Sequence, residues 1–255
     1  MVQKTDARGV VANYTYDALN RVTSVSYPGN TAENTTFIYD ATAGGNKGKG
    51  RLTGYSNISG NTALTYDSYG NITARTDTIG AASYTTGFAY DAANRLQSIS
   101  YPSGRQVIYT RSALGRITQV DTRASLSDPA VTLVSSVTYR PFGPITGLTF
   151  ANGVTTAIDY DTDYRTARIT SNTVPAWDFS YSYDAASRIT QQADQIGSLS
   201  RAYDYDALDR LISDSNPAGQ WTYQYDANGN RTGRTWVHPD TSVTTLNPTI
   251  SIRPA

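Results

Sequence analysis

The sequence predicts an all-β fold in which antiparallel β-hairpin repeats join into one continuous curved or spiral sheet. Three observations carry that prediction. The first is composition: 20 of the 255 residues are tyrosine and 36 are threonine, whereas glutamate and methionine occur once each. Aromatic and β-branched side chains suit a pleated surface, and strong helix formers other than alanine are scarce. The second is a four-residue motif that recurs ten times. The third is the turn chemistry after each copy, drawn from 20 Gly, 10 Pro and abundant Asn and Asp.

Each unit opens with a strand that ends on the motif. Tyr14-Thr15-Tyr16-Asp17 is the first copy, and Phe37 to Tyr39-Asp40 and Leu64 to Tyr66-Asp67 follow with one substitution each. Phe88-Ala89-Tyr90-Asp91 is complete, and two degenerate copies end at Arg111-Ser112 and Tyr139-Arg140. Ile158 to Tyr160-Asp161 then precedes three complete copies, which end at Tyr183-Asp184, Tyr205-Asp206 and Tyr225-Asp226. Counted on their last residue, copies lie 20 to 28 residues apart and fill the chain from about Asn13 to Arg231. The expected organisation is a repeat array over 1–235 and a short C-terminal tail over 236–255.

Within a copy, the residue three before the anchor and the residue one before it share a strand face. The first is apolar in all ten units; the second is tyrosine in nine, with Arg111 the exception. Polar or small residues usually lie between them, which is the period of a half-buried strand. Laid side by side, such strands predict a lateral ladder of rings, each cross-strand pair worth ~0.2–1 kcal/mol.

A short turn follows the anchor. Its third residue is Asn20, Gly70, Asn94, Gly115, Asp209 or Gly229, types that tolerate the left-handed conformation of a tight reversal. Arginine recurs just beyond, at Arg21, Arg95, Arg116, Arg165, Arg188 and Arg210. It opens the second strand, commonly with an aliphatic residue next (Val22, Leu96, Ile117, Ile189, Leu211). That strand ends at another turn signal, such as Pro28-Gly29-Asn30, Pro102-Ser103-Gly104 or Asn152-Gly153. Each unit is therefore two strands and two reversals. A propeller of about five four-stranded blades and a parallel β-helix share the period and remain open beside the continuous sheet, although the frequent hairpin turns favour the latter.

Composition also narrows function. Charged residues make up 16%, under the ~25% of an average domain, and the net charge is +0. A dedicated nucleic-acid binder usually carries a basic face, so no nucleic-acid partner is expected. There is no cysteine, which removes disulfides and thiolate chemistry, and one histidine, His238, which removes two-histidine metal sites. No stretch approaches the ~20 apolar residues of a membrane span, and no apolar signal core opens the chain. A conventional enzyme is not expected, nor a cofactor or catalytic residue.

The run Tyr16-Asp17-Ala18-Leu19-Asn20-Arg21-Val22-Thr23 and its counterpart from Tyr183 to Thr190 carry a hallmark pattern: Tyr-Asp-x-x-Gly/Asn-Arg-aliphatic-Thr/Ser. In these residues, in Tyr139-Arg140-Pro141-Phe142-Gly143-Pro144 and in Thr5-Asp6-Ala7-Arg8-Gly9, the chain resembles the Rhs or YD-repeat family over some 220 positions. The family resemblance implies an antiparallel sheet that spirals into a hollow β-shell. In bacterial toxin systems such shells enclose a C-terminal toxic domain; toxin-complex components and the adhesion proteins called teneurins are relatives. It further implies a secreted or cell-surface location and a non-catalytic structural module that encloses or presents a cargo domain. The family's aspartyl autoprotease core has no recognisable counterpart here, so neither autoproteolysis nor a toxin domain is carried over.

Ten units supply about twenty strands, a sheet about 95 Å wide, which rolled once is on the order of 30 Å across. That leaves little room for cargo. The expectation is a segment of a longer shell, or a short relative that closes on copies of itself through its edge strands. The expected partners are thus neighbouring repeats or further copies, with an enclosed toxin domain outside this chain. The alternative function is an extracellular adhesion module whose tyrosine-rich face binds a glycan or a protein. The recurring Asp and Arg read as structural, because a group repeated in nearly every unit holds turns in shape. Gly44 to Gly50 lacks the Lys-Ser/Thr ending of a phosphate loop and reads as an enlarged hairpin loop. Asp121, Asp159, Asp161 and Asp163 lack the glutamate of a calcium loop.

Overall fold

The computed structural model describes residues 2–173, 176–240 and 242–246. The described residues hold 22 β-strands of four to nine residues and two single-turn 3-10 segments. The chain divides into two units, Met1–Leu133 and Val134–Ala255. The first carries β1 (Val2–Thr5), β2 (Val11–Tyr16), β3 (Val22–Ser26), β4 (Thr35–Tyr39), β5 (Leu52–Asn57) and β6 (Gly60–Tyr66). It continues with β7 (Ile72–Ile79), β8 (Ala82–Tyr90), β9 (Leu96–Ser100), β10 (Gln106–Arg111) and β11 (Ile117–Arg123). Strand β12 (Val131–Tyr139) begins in the first unit and ends in the second. The second unit goes on with β13 (Ile145–Phe150), β14 (Thr155–Tyr160), β15 (Thr166–Ser171), β16 (Trp177–Tyr183) and β17 (Ile189–Asp194). It closes with β18 (Arg201–Tyr205), β19 (Leu211–Asn216), β20 (Gly219–Tyr225), β21 (Arg231–Val237) and β22 (Val243–Leu246).

Pairing follows chain order. From β1 to β11 every strand pairs antiparallel with the next. The same holds from β12 to β22. A propeller would break these ladders into sets of four and a β-helix would make them parallel; neither is present. Among the described residues the ladders are unclosed, with β1 joined to β2 and β22 to β21. Strand β21 runs across position 236 and β22 pairs with it, so strands extend past 235 to Leu246. The rest of the expected tail, 247–255, lies outside the described residues.

In each unit the motif turns fall at one end of the strands and the Pro- and Gly-rich turns at the other, which gives a motif rim and an opposite rim. Each ladder is a single layer. Among the described residues the only buried apolar side chains are Ala12 and Val137, and no large side chain is fully buried. Stability therefore cannot come from a central core; it must come from contacts between one hairpin and the next, as in solenoids.

A bulge recurs with the motif. The register slips by one residue just before the motif tyrosine, or before Arg111 where it replaces one, as between Thr15 and Tyr16, or between Ser182 and Tyr183. Thr15 faces Ser24 while Tyr16 faces Val22, which leaves Thr23 as the extra residue. Its hydroxyl lies 2.8 Å from that of Thr15, and Thr73 and Thr65 repeat the contact at 2.9 Å. The Thr/Ser at the end of the hallmark pattern is thus the bulge residue, and its short hydroxyl side chain ties the bulge across the hairpin. Bulges of this kind increase local twist.

Candidate functional site: a bracket between consecutive hairpins

The motif aspartate folds the turn. In the first unit Oδ1 of Asp17 accepts the backbone N–H of Leu19 and of Arg21, both at 2.9 Å, and Oδ2 accepts Arg21 Nε at 2.7 Å. The Asp17 amide donates to the Arg21 carbonyl, and the Asn20 amide to the Asp17 carbonyl. This is a three-residue loop whose last member must be left-handed. Asn20, Asn94 and Asp209 have φ near +60°, and Gly70, Gly115 and Gly229 lie between +81° and +90°. The same three carboxylate contacts recur at Asp91, Asp161, Asp184 and Asp206, each with the arginine four residues on. At Asp67 and Asp226 the partner is Asn71 or Asn230. Asp6 folds a similar turn ahead of the first unit, accepting the amides of Arg8 and Val10.

The tyrosine before each aspartate reaches back to the preceding hairpin. Tyr39 donates its hydroxyl to the Val22 carbonyl (2.9 Å), Tyr66 to Leu52 (2.7 Å) and Tyr90 to Ile72 (3.0 Å). In the second unit Tyr160 donates to Ile145 (2.8 Å), Tyr183 to Thr166 (2.8 Å), Tyr205 to Ile189 (2.9 Å) and Tyr225 to Leu211 (2.8 Å). Apart from Ile72 and Ile145, which follow Asn71 and Pro144, each acceptor is the residue just after the previous unit's arginine. Half-burial of these hydroxyls pushes the pKa of Tyr90, Tyr160, Tyr183 and Tyr205 upward through desolvation, which keeps the phenols neutral donors.

Arginine closes the bracket from the other side. The guanidinium of Arg21 lies over the ring of Tyr39 at 4.3 Å, Arg165 over Tyr183 at 4.6 Å, Arg188 over Tyr205 at 5.0 Å and Arg210 over Tyr225 at 4.8 Å. Several also reach the next turn: Arg21 bonds the Asp40 carboxylate, Arg188 the Asp209 carboxylate and Arg210 the Asp226 carbonyl. Each of these arginines is thus held by its own aspartate, covers the next tyrosine and touches the next turn. This corrects the expected ladder of rings. The ring-on-ring contacts of the described residues involve Trp177 with Phe179, and Trp221 and His238 with Trp236. For Tyr39, Tyr66, Tyr183, Tyr205 and Tyr225 a guanidinium takes the place of the neighbouring ring.

The degenerate units keep part of this scheme. Arg111 stands where tyrosine is expected, yet its guanidinium donates to the Leu96 carbonyl at 3.0 Å, the acceptor position used elsewhere by the hydroxyl. Its Nε is buried without a partner. Arg111→Tyr is therefore expected to raise stability by about 0.5–1.5 kcal/mol, read from urea unfolding, as the buried uncompensated Nε is removed and a hydroxyl takes over the bond to Leu96. A destabilised variant would contradict the equivalence. Ser112 and Arg140 replace the aspartate, and their turns keep the backbone closure, to Arg116 and Pro144. The backbone of Tyr139 joins the bulge of its hairpin, facing Ile145. The enlarged loop after Asp40 is used internally: Asn46 bonds the Tyr66 amide and the Leu64 carbonyl, and Lys47 donates to the Tyr66 carbonyl.

Acid dependence follows from the carboxylates. The backbone amide of Arg188 holds the Asp184 carboxyl below its ordinary range, as that of Arg210 does for Asp206; the Arg95 guanidinium does so for Asp91. The Arg21 guanidinium pulls Asp40 down to about 2. Folding thus lowers these pKa values from ~3.9, so their contribution is complete above that value and is lost as pH falls through the folded values. The melting temperature is expected to be flat above about pH 5 and to fall steeply between about pH 4 and 2. A flat profile down to pH 2 would contradict the bracket.

A chain of hairpins, most of them folded by an aspartate and stapled to the preceding one by a tyrosine, defines a Tyr-Asp repeat array. Residues 1–32, 90–125 and 205–235 match the sequence model of the RHS repeat, which supports an Rhs/YD-repeat protein. No curated protein matches the sequence. Among solved structures, the fold is similar to part of a chain in the crystal structure of TcdB2-TccC3-Cdc42, with TM-score 0.85 and 18% identity over 96% of this chain. A structure of a Photorhabdus luminescens Tc holotoxin pore matches with TM-score 0.84 at 18% identity, again over 96%. The chain spans 15% of the length of each of these solved chains.

Proposed function

We propose that the chain is a non-catalytic structural module: a stretch of wall in a secreted or cell-surface Rhs/YD-repeat shell that encloses or presents a cargo domain. The carrying observation is the bracket. Its carboxylates, guanidiniums and phenols are bonded to the sheet's own backbone and to one another, repeat after repeat, which is the use expected of structural groups rather than of a reaction centre. On this reading Tyr16, Tyr39, Tyr66, Tyr90, Tyr139, Tyr160, Tyr183, Tyr205 and Tyr225, with their neighbouring Asp and Arg residues, are the joints of the wall. The matches to parts of much longer chains in toxin assemblies support it, as does the single-layer sheet, which suits a partition better than a solid domain.

The test is electron microscopy and protease challenge of the chain expressed with whatever coding sequence its gene carries on either side. A hollow particle whose internal domain resists a protease that digests the same domain alone is the expected result. A solid or extended particle, or equal cleavage of both, would overturn the wall reading.

A further inference from the structure

We infer that the first unit carries a carbohydrate site: an open groove across β5 to β8 in which a neutral sugar ring stacks on Tyr84 and divides its hydroxyls between Arg75 and Asp77. The inference does not rest on the wall reading, and its residues lie outside the repeated Tyr-Asp motif.

One line of paired positions builds the groove. Tyr55 faces Thr62, Thr62 faces Asp77 and Asp77 faces Tyr84 across four neighbouring strands. Directly opposed residues share a sheet face, so all four side chains stand on the face of the motif tyrosines. At about 4.8 Å per strand, the strands of the two tyrosines lie about 14 Å apart. Only the short side chains of Thr62 and Asp77 stand in line between them. Two long side chains thus flank two short ones and leave a cavity of about 420 Å³. That is within the ~300–1,000 Å³ of small-molecule sites.

The polar groups of the groove are locked. Arg75, two residues before Asp77 on β7, turns its guanidinium onto that carboxylate, with Nε 2.9 Å from Oδ2 and Nη2 3.0 Å from Oδ1. Thr62 Oγ1 donates to the same carboxylate at 2.6 Å, and Arg75 Nη2 comes within 3.5 Å of the Tyr55 hydroxyl. Donation by Arg75 also holds the Asp77 carboxyl below its ordinary range, so at neutral pH it is an ionised acceptor. Groups that already hold one another in place lose little entropy when a ligand arrives.

Charge selects the class of ligand. Arg75 and Asp77 are the only charged residues that line the groove, and they neutralise each other at contact distance. A free anion or cation would meet its opposite and its like side by side and gain little. Adjacent hydroxyls fit the pair, because one donates to Asp77 while its neighbour accepts from the guanidinium. Aromatic contact completes the match. Tyr84 is 47% exposed and, unlike Tyr39 or Tyr205, has no guanidinium over its ring among the described residues. The electron-rich face of a phenol attracts C–H groups, and a pyranose presents a face of C–H bonds with hydroxyls at its edge.

Saturation-transfer NMR of the whole chain with cellobiose, maltose, lactose and chitobiose tests it, each up to roughly 10 mM to suit the weak affinity of an open groove. At least one of the four is expected to bind saturably, with transfer strongest to the C–H protons of one ring face. Tyr84→Ala and Asp77→Asn should each weaken that binding about tenfold or more, with the circular dichroism unchanged. Tyr69→Ala, which removes an exposed ring from the motif rim outside the groove, should leave binding as it was. Sodium phosphate, as the anion probe, should not displace the sugar. Binding of none of the four, binding that survives Tyr84→Ala, equal loss in Tyr69→Ala, or displacement by phosphate would each overturn the proposal.

Discussion

Tyr205→Ala is expected to destabilise the second unit by about 2–3 kcal/mol, measured by urea unfolding. Three contributions are lost together. The hydroxyl bond to the Ile189 carbonyl disappears, worth ~0.5–1.5 kcal/mol. The Arg188 guanidinium loses the ring beneath it, worth about 0.5–1 kcal/mol at a partly exposed site. The packing of a half-buried ring supplies the rest, below the ~3–5 kcal/mol of a fully buried Phe→Ala because no closed core surrounds it. Tyr205→Phe keeps the ring and should show only the first of these losses. Equal effects for the two variants would mean that the ring does not join hairpins at all.

The second large effect concerns the glycines of the motif turn. Gly115 has φ +81°, and a Cβ there would collide with the Arg95 guanidinium of the preceding unit. Gly229 has φ +84° with open space around it. Gly229→Ala should therefore cost only the left-handed strain of an L-residue, about 1–2 kcal/mol. Gly115→Ala pays the same strain and also pushes aside the end of the Arg95 side chain, which is bonded to Asp91, so its cost should exceed that of Gly229→Ala. Both are measured by urea unfolding. Equal costs would show that the arginine does not need the place that glycine leaves for it. Gly70, which faces Arg51 in the same way, provides a second instance.

The sequence and the structure agree where periodicity decides the outcome. Alternation before Asp17, Asp91, Asp184, Asp206 and Asp226 announces a strand, and the Asn, Gly or Asp three residues later announces a left-handed turn. These are local signals, set by backbone sterics, and they survive any tertiary context. Two positions lay outside that logic: Tyr164 and Ser187 adopt φ near +63° although neither residue type favours it. The carboxylates of Asp161 and Asp184 impose the conformation there by taking the same amides as in the other turns. What periodicity could not supply was the partner of each group. The spacing placed tyrosines on one face but said nothing of the carbonyl each would reach, because that carbonyl lies 14 to 18 residues earlier and on another hairpin. Arg111 offered the one available hint. A single exception to tyrosine that can also donate to a carbonyl suggests that donation, more than ring packing, is what the position requires.

The buried polar groups tell the same story about cores. Thr53, Thr62, Ser98, Gln106, Thr122, Ser171, Ser213 and Asp214 are buried, where an ordinary domain would place Leu or Phe. Hydroxyl and amide groups lie against backbone and against each other, as Gln106 does with Ser98 and Ser100, and Thr62 with Asp77. A single-layer sheet cannot exclude water through thickness. It gains order through many short lateral bonds instead.

Neighbouring hairpins are coupled through arginine and tyrosine. A double-mutant cycle tests it most directly, with Arg188→Met and Tyr205→Leu as the adjacent pair and Arg188→Met and Tyr225→Leu as the control. Coupling is expected between Arg188 and Tyr205, so that the double variant loses less stability than the two single losses added together, while the control pair is additive. Additivity in both pairs would contradict the bracket and leave the hairpins energetically independent.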